Sequence, residues 1–493
     1  MSFDPEVRLS HRHLLILLAL AFLSGGVYLA VSALYYRLGF PLDDAWIHQT
    51  YARNLALRGE WAFLPGQPSG GSTAPLWSAL LSLGFRLGLA PYIWTYLLGG
   101  LLLWGTAALG ERMARALVSE YRPRFPWIGA LLALEWHLVW ASVSGMETLL
   151  FAFVVLLVFS LLLSQAPRFL TVGLLIGLSA WVRPDGITLL GPAAWTCFLL
   201  AVPWKRRLVN FSALALGFAA LFSFYLLFNL AVTGSVWPNT FYAKQAEYAV
   251  YLQLPFWQRL GEQLLQPLIG VGIFLLPGAV WTALLAIRRR IWSVPGALLW
   301  VLGFLGLYAL RLPVTYQHGR YVMPVMPVFF LLGAAGLAGL ILRKAQGMAW
   351  VLSTFWKLTT GLTLLIFWGR GAYAYAQDVA VIESEMVAVA GWVSANVPEG
   401  ALVAAHDIGA LGYFGNHDLV DLAGLISPDV IPFLRDETRL AAYLDERGVE
   451  YLVTFPDWYP TLTSNLTPLY VTNAPYAPSF GETNMAVYPW PGP

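Results

Sequence analysis

Leu14-Leu15-Ile16-Leu17-Leu18-Ala19-Leu20-Ala21-Phe22-Leu23-Ser24-Gly25-Gly26-Val27-Tyr28-Leu29-Ala30-Val31-Ser32-Ala33-Leu34 is an uncharged run, and Pro41-Leu42-Asp43-Asp44-Ala45-Trp46-Ile47-His48 follows it after a short connection. The first stretch is long enough to cross a bilayer, which takes about 20 mostly apolar residues. No small-x-small site follows it, so it reads as a retained span rather than a cleaved leader. Ten further apolar runs lie near 91–109, 126–143, 148–164, 169–182, 187–202, 208–232, 264–287, 294–310, 321–342 and 350–369. The runs 169–182 and 187–202 are short and flank Arg183-Pro184-Asp185-Gly186, so they form either a shallow hairpin or two crossings. The stretch 75–90 is also short and carries Arg86, and it reads as an amphipathic helix on the membrane surface. The expected fold is an all-α polytopic membrane protein with about eleven spans.

Composition agrees. Of 493 residues, 58% are apolar or aromatic and 11% are charged, less than half the ~25% charge of soluble domains. Disordered, collagenous and ordinary cytosolic classes are excluded. The single cysteine, Cys197, excludes an intramolecular disulfide and a cysteine-built metal site. No nucleic-acid partner is expected. The small net charge of +2 conceals a division: residues 1–371 hold 26 Lys/Arg and 12 Asp/Glu, and residues 372–493 hold 3 Arg and 15 Asp/Glu.

Basic clusters set orientation. An inward N-terminus places Arg8/Arg12, Arg112/Arg115/Arg122/Arg124, Arg168, Lys205/Arg206/Arg207, Arg288/Arg289/Arg290 and Arg343/Lys344 on the cytoplasmic face, against Asp4, Glu6, Glu111 and Glu120. Two domains follow: a membrane domain over 1–371, with its first outer loop at 35–90, and an extracytoplasmic domain over 372–493. In the latter, helix-like 379–395, an apolar run 401–405, a strand at 419–422, a helix near 437–447 and a strand at 449–455 read as a small α/β unit with a short sheet, whose helix–strand alternation suggests parallel strands. The segment from Pro456 is Pro/Thr/Asn-rich and reads as irregular loop.

A charge at a membrane is costly, so each one retained there is a functional candidate. Asp43 and Asp44 at a helix start would cap free N–H groups, or one of them would serve as a general base that deprotonates a hydroxyl. Glu147, in Ser144-Gly145-Met146-Glu147-Thr148, shares their face and is either a helix cap or a second acid. Arg183, Lys244 and Arg320, with His318 beside the last, would form a phosphate clamp. Glu135 and His137, inside a span, read as a buried polar pair. No phosphate-loop or zinc-protease motif is present. No metal cage is legible, and the sequence is silent on a Mg or Mn ion bridging carboxylate and phosphate. With acids and cations on the extracytoplasmic face, where nucleotide-activated donors are scarce, the expected donor is a lipid phosphate.

Asp43-Asp44 with Arg53-Asn54, Phe63-x-Pro65-Gly66 and Ser72-Thr73-x-Pro75-Leu76-Trp77 resembles the first outer loop of the GT-C superfamily of membrane glycosyltransferases. Ser144-Gly145-Met146-Glu147, Val182-Arg183-Pro184-Asp185-Gly186 and Pro238-Asn239-Thr240-x-x-Ala243-Lys244 follow in the order seen in bacterial cell-wall arabinofuranosyltransferases and their relatives. The resemblance spans residues 14 to 345. It implies a polyprenyl-phosphate-sugar donor, inversion at the sugar carbon and a glycan, lipid or protein acceptor in a membrane setting. It implies Asp43 or Asp44 as base, Glu147 as second acid, and Arg183, Lys244, His318 and Arg320 on the donor phosphate. His48, Arg53, Asn239 and Tyr242 would bind the acceptor or support the site. Glu147 stands where many relatives have Asp. The rival reading is a transporter or flippase of lipid-linked sugars, which would place polar groups near the midplane.

Overall fold

The computed structural model describes residues 7–164, 166–341 and 346–490. Asp4, Glu6, Arg343 and Lys344, used above for orientation, lie outside the described residues, as does the end of the 321–342 run.

Among the described residues, six helices are long and apolar enough to cross a membrane: His11–Tyr35, Pro91–Leu117, Trp204–Thr233, Ser293–Arg311, Tyr316–Leu340 and Met348–Asn396. The pair Phe256–Leu268 and Gly272–Arg288 passes the same test only together, and it bends by 96°. The chain is a multi-pass membrane protein. The other four apolar runs are short or broken. Thr148–Leu162 and Phe169–Val182 are shorter helices, and the 187–202 run begins as a 3-10 turn before Leu190–Leu199. The 126–143 run breaks at Glu135 into Trp127–Leu134 and Trp136–Val143. There the Glu135 carboxylate accepts the N–H groups of His137 and Leu138 and lies 2.8 Å from His137 Nδ1. That buried pair is a helix cap. Elsewhere helices touch backbone to backbone across small residues, as membrane helices do: a Cβ on Gly173 would meet the Leu214 carbonyl oxygen at 2.1 Å, and one on Gly278 the Gly333 carbonyl oxygen at 2.0 Å.

The first long helix leads into Asp44–Arg58, a two-stranded hairpin of β1 (Ala62–Leu64) and β2 (Gln67–Pro68), and Pro75–Arg86. The last of these is the helix expected on the membrane surface. It starts on Pro75 and buries Trp77 and Leu81, while Leu83 stays exposed.

The last long helix runs on past residue 371 to Ile382, and a π-helical turn at Glu383–Val387 joins it to Ala388–Asn396. Two acids of that turn are buried. Glu383 pairs with Arg37 at 2.8 Å and accepts from the Tyr92 hydroxyl at 3.1 Å. Glu385 accepts from Met485 N and Asn484 Nδ2, both at 2.8 Å, and from the Thr472 hydroxyl. The C-terminal sheet has five strands in the spatial order Asp418–Asp421, Leu402–Ala405, Tyr451–Thr454, Ala486–Pro489 and Tyr470–Val471. Strands β3 (Leu402–Ala405), β4 (Asp418–Asp421) and β5 (Tyr451–Thr454) are parallel. The helix expected near 437–447 is Glu437–Arg447, capped by Asp436 and ended by Gly448 in the left-handed region. The region from Pro456 is not wholly irregular: β6 (Tyr470–Val471) and β7 (Ala486–Pro489) add an antiparallel edge. These strands are too short for their alternation to stand out among prolines and asparagines.

Candidate active site

Asp43 and Asp44 are adjacent in sequence but point to different partners, as neighbours about 100° apart on a helix must. Asp43 is buried, and its two oxygens accept the N–H groups of Gly409 (2.6 Å) and Ala410 (2.8 Å) in the C-terminal unit. Burial, with Asp44 beside it, pushes its pKa up to about 7 against those two hydrogen bonds. Asp44 turns to the cations: its Oδ2 accepts from Arg320 Nη2 at 2.6 Å and lies 3.5 Å from Lys244 Nζ. Burial would raise its pKa, but Lys244 and Arg320 outweigh that and hold it well below the usual carboxylate range. Asp44 in turn raises the Lys244 pKa despite burial.

Glu147 reaches the same region through a turn. Gly145 has φ +79°, and a Cβ there would fall 2.8 Å from Ala45 Cβ and 2.9 Å from the Phe40 ring, so only glycine lets this turn lie against the Asp44 helix. The Trp77 indole N–H fixes the turn by donating to the Gly145 carbonyl at 2.8 Å. Glu147 Oε2 then lies 3.5 Å from His48 Nε2, and His48 Nδ1 is within hydrogen-bond distance of Ser78 (3.0 Å) and Ser72 (3.2 Å). Burial opposes ionisation of Glu147, but His48 and Arg183 outweigh it and lower the pKa to about 2.

The cations gather around a ring that sequence reading left without a role. Tyr321 has Arg320 Cζ 4.9 Å, Lys244 Nζ 5.4 Å and Arg183 Cζ 5.6 Å from its centroid. Its hydroxyl accepts from Lys244 and Arg320, both at 3.1 Å. A cavity of about 410 Å³ opens beside it, lined by Glu147, Arg183, Lys244, Arg320 and Arg311 and by the apolar Met146, Phe241, Leu307 and Leu312. Arg183 is already engaged, donating to Asp185 Oδ2 (3.1 Å) and to the Tyr308 hydroxyl (2.7 Å). Arg320 is engaged through Nη2 alone: its Nε and Nη1 are buried with no hydrogen-bond partner in a residue only 5% exposed.

The turn before Arg320 explains why His318 goes elsewhere. Gln317 (φ +53°), His318 (φ +59°) and Gly319 (φ +68°) are all left-handed, a conformation that costs a non-glycine residue about 1–2 kcal/mol. It sends Arg320 into the cavity and turns His318 Nε2 to Asp378 Oδ2 at 2.8 Å, beside Trp140, whose indole donates to the same oxygen. His318 is therefore not among the cavity-lining side chains. Arg53 also faces away, donating to the carbonyls of Tyr413 (2.6 Å) and Gly412 (3.0 Å). Asn239 Nδ2 donates to the Leu425 carbonyl at 3.3 Å, and the half-exposed Tyr242 has its hydroxyl 3.1 Å from Ser235 Oγ. Sequence analysis gave no role to Tyr308 or Tyr321 and read His406 as a strand-end turn residue, whereas its ring lies 3.4 Å from Glu247 on the helix that carries Lys244. Among the described residues, no group of three or more His, Cys, Asp or Glu side chains is arranged to hold a metal ion.

Residues 372–488 match a family described as a domain of unknown function (DUF8728). Comparison of the sequence with curated proteins finds no match. Several solved structures share the architecture. ArnT from Cupriavidus metallidurans, bound to undecaprenyl phosphate, aligns with a TM-score of 0.57 at 14% identity, over 96% of this chain and 97% of that one. The archaeal oligosaccharyltransferase AglB from Archaeoglobus fulgidus, in complex with an inhibitory peptide and a dolichol-phosphate, aligns at 0.53 and 11% identity over 90% and 69%. The arabinofuranosyltransferase AftD from Mycobacteria aligns at 0.54 and 16% identity over all of this chain and 40% of that one. The helical bundle, the site at the end that bears the C-terminal unit, and these three alignments give one conclusion: this chain has the GT-C fold of membrane glycosyltransferases.

Proposed function

We propose that the protein transfers a sugar from a polyprenyl-phosphate donor to an acceptor hydroxyl on the extracytoplasmic face of a membrane. The observation that carries this reading is the carboxylate of Asp44 set against Arg320 and Lys244, with two unpaired Arg320 donors beside a largely apolar cavity. A lipid phosphate suits that cavity: its phosphate meets Arg320, Lys244 and Arg183, and its chain lies along the apolar wall. ArnT is bound to undecaprenyl phosphate and AglB to a dolichol-phosphate, which agrees with this donor class. In the reaction the acceptor oxygen forms a bond to the anomeric carbon as the bond from that carbon to the phosphate oxygen breaks. The proton passes to Asp44, and the lipid phosphate leaves with the bonding electrons, stabilised by the cations. Displacement from the opposite face inverts the anomeric centre.

Asp44 is the better base than Asp43, both of whose oxygens are occupied by backbone N–H groups. In the free protein Asp44 is neutralised by the cations that phosphate would engage. Donor arrival draws Arg320 and Lys244 towards phosphate and leaves the carboxylate more basic. The basic clusters favour a cytoplasmic N-terminus and an external site. Asp44→Asn is expected to lower transfer by about 10²–10⁴-fold in a folded protein that still binds lipid phosphate. Free lipid phosphate released from radiolabelled lipid-phosphate sugar reads this out and also separates an enzyme from a flippase. Full activity in Asp44→Asn would remove the base from the scheme.

A further inference from the structure

Two helices carry the charged pair of the site, and the C-terminal unit holds both of them. Asp44–Arg58 carries Asp44, and Asn239–Glu247 carries Lys244. On the first helix, Asp43 accepts the N–H groups of Gly409 and Ala410, and Arg53 donates to the carbonyls of Gly412 and Tyr413. The short Gly409–Phe414 helix is thus gripped at its two ends. On the second, Glu247 Oε1 lies 3.4 Å from His406 Nε2, the Glu247 carbonyl accepts from Arg435 Nη2 at 3.1 Å, and Asn239 donates to the Leu425 carbonyl. His406 also lies 2.8 Å from the Tyr459 hydroxyl, beyond the end of β5. Its contacts therefore join the strand ends to the Lys244 helix. His406 and Gly409 follow β3, and Leu425 follows β4; these two strands pair in parallel register from Leu402 with Asp418 to Ala405 with Asp421. One rigid edge, the carboxyl ends of the parallel strands, therefore touches both helices. The contacts are hydrogen bonds and ion pairs, which are directional where apolar packing is not.

We propose that the C-terminal unit is a splint that fixes the separation between Asp44 and Lys244, with Asp43 and His406 as its two positioning residues. Asp44 and Lys244 sit 3.5 Å apart on elements far apart in sequence. A misplacement of about 1 Å at such a site costs on the order of 10²-fold in rate. The rate consequence rests on the glycosyltransferase reading above; the mechanical coupling does not.

The test is hydrogen exchange on the full-length protein in nanodiscs, followed by kinetics. Asp43→Ala is expected to raise exchange in residues 239–247, with which Asp43 makes no hydrogen bond, and His406→Ala to raise it in residues 44–50. Exchange in the Glu437–Arg447 helix should stay at the wild-type level, reporting that the unit remains folded. If either alanine variant unfolds the unit, Asp43→Asn and His406→Gln, which keep part of each contact, should give the same distant increases at smaller amplitude. Increases confined to the mutated contact overturn the splint. With a lipid-phosphate sugar, each alanine variant should lower kcat at least tenfold while the donor KM moves less than threefold, and Asp43→Asn should recover part of the loss. An unchanged kcat in both variants overturns the positioning role. If the unmutated protein transfers no sugar, the glycosyltransferase reading falls, and the exchange data alone decide the splint.

Discussion

Arg320 offers the sharpest quantitative test of the phosphate site. One of its nitrogens is committed to Asp44 and to the Tyr321 hydroxyl, and the other two have no protein partner. A hydrogen bond between charged groups contributes about 1.5–3 kcal/mol. Two such bonds to a donor phosphate are therefore worth roughly 3–6 kcal/mol, or about 10²–10⁴-fold in affinity. Arg320→Lys keeps the charge but replaces the three-nitrogen fork by a single ammonium nitrogen, so affinity for a polyprenyl phosphate should fall by about 10–100-fold. Arg320→Gln removes the charge and should approach the full loss. Titrating nanodisc-embedded protein with short-chain polyprenyl phosphate, with no sugar or acceptor present, isolates this interaction from catalysis. Arg311→Gln is the internal comparison: Arg311 lines the same cavity from the end of its helix, and its loss should cost much less. Equal affinities for wild type and Arg320→Lys would refute the assignment, because the unpaired nitrogens would then have no phosphate to meet.

Three other outcomes follow from contacts already described. Gly409→Ala places a Cβ 2.1 Å from the Asp43 carbonyl oxygen and 2.7 Å from Asp43 Oδ2; it should cost about 3 kcal/mol and expose the C-terminal unit to proteolysis, whereas Gly391→Ala, with open space around it, should be silent. Asp43 has a native pKa raised to about 7 from an unfolded value near 3.9, so its contribution to stability is present below about pH 4 and is lost as pH rises to about 7. Thermal midpoints of wild type minus Asp43→Asn should fall across that window, and parallel profiles would contradict the shift. His48→Ala takes away the group that, with Arg183, holds Glu147 near a pKa of 2; Glu147 should then take up a proton at higher pH, and an acid limb absent from the wild-type pH–rate profile should appear.

How much was legible depended on how local each signal was. The uncharged run at 14–34 and the other long runs announce themselves by length alone, and the charged residues they carry to one end delimit the site. Glu135 was readable as buried, but its helix break was not, because an acid in an apolar run does not show which N–H groups it will meet. Asp43 and Asp44 could not be told apart, since the partners that separate them lie 366 and 276 residues away. His318 was placed with Arg320 by adjacency, and a left-handed turn undoes that adjacency. Tyr321 sits centrally among three cations, yet in sequence it is one aromatic among many at a membrane edge. The β7 strand was hidden because its pairing with β5 is a tertiary fact that a four-residue run does not advertise.

The helix running from Met348 to Asn396 has 49 residues. At 1.5 Å per residue it is roughly 70 Å long, more than twice the ~30 Å hydrocarbon core. It is therefore a mast, and the sheet is mounted near its upper end. Phase along a mast matters as much as height: one residue more or fewer turns everything above it by about 100°. A π turn is equivalent to one such inserted residue, and at Glu383–Val387 it sets the bearing at which Glu383 meets Arg37 and Glu385 meets the sheet. Deleting a single residue there would leave both the bundle and the sheet intact as objects while pointing the sheet's strand ends away from the cavity. The register of one turn of helix thus decides whether the two halves of the molecule face each other.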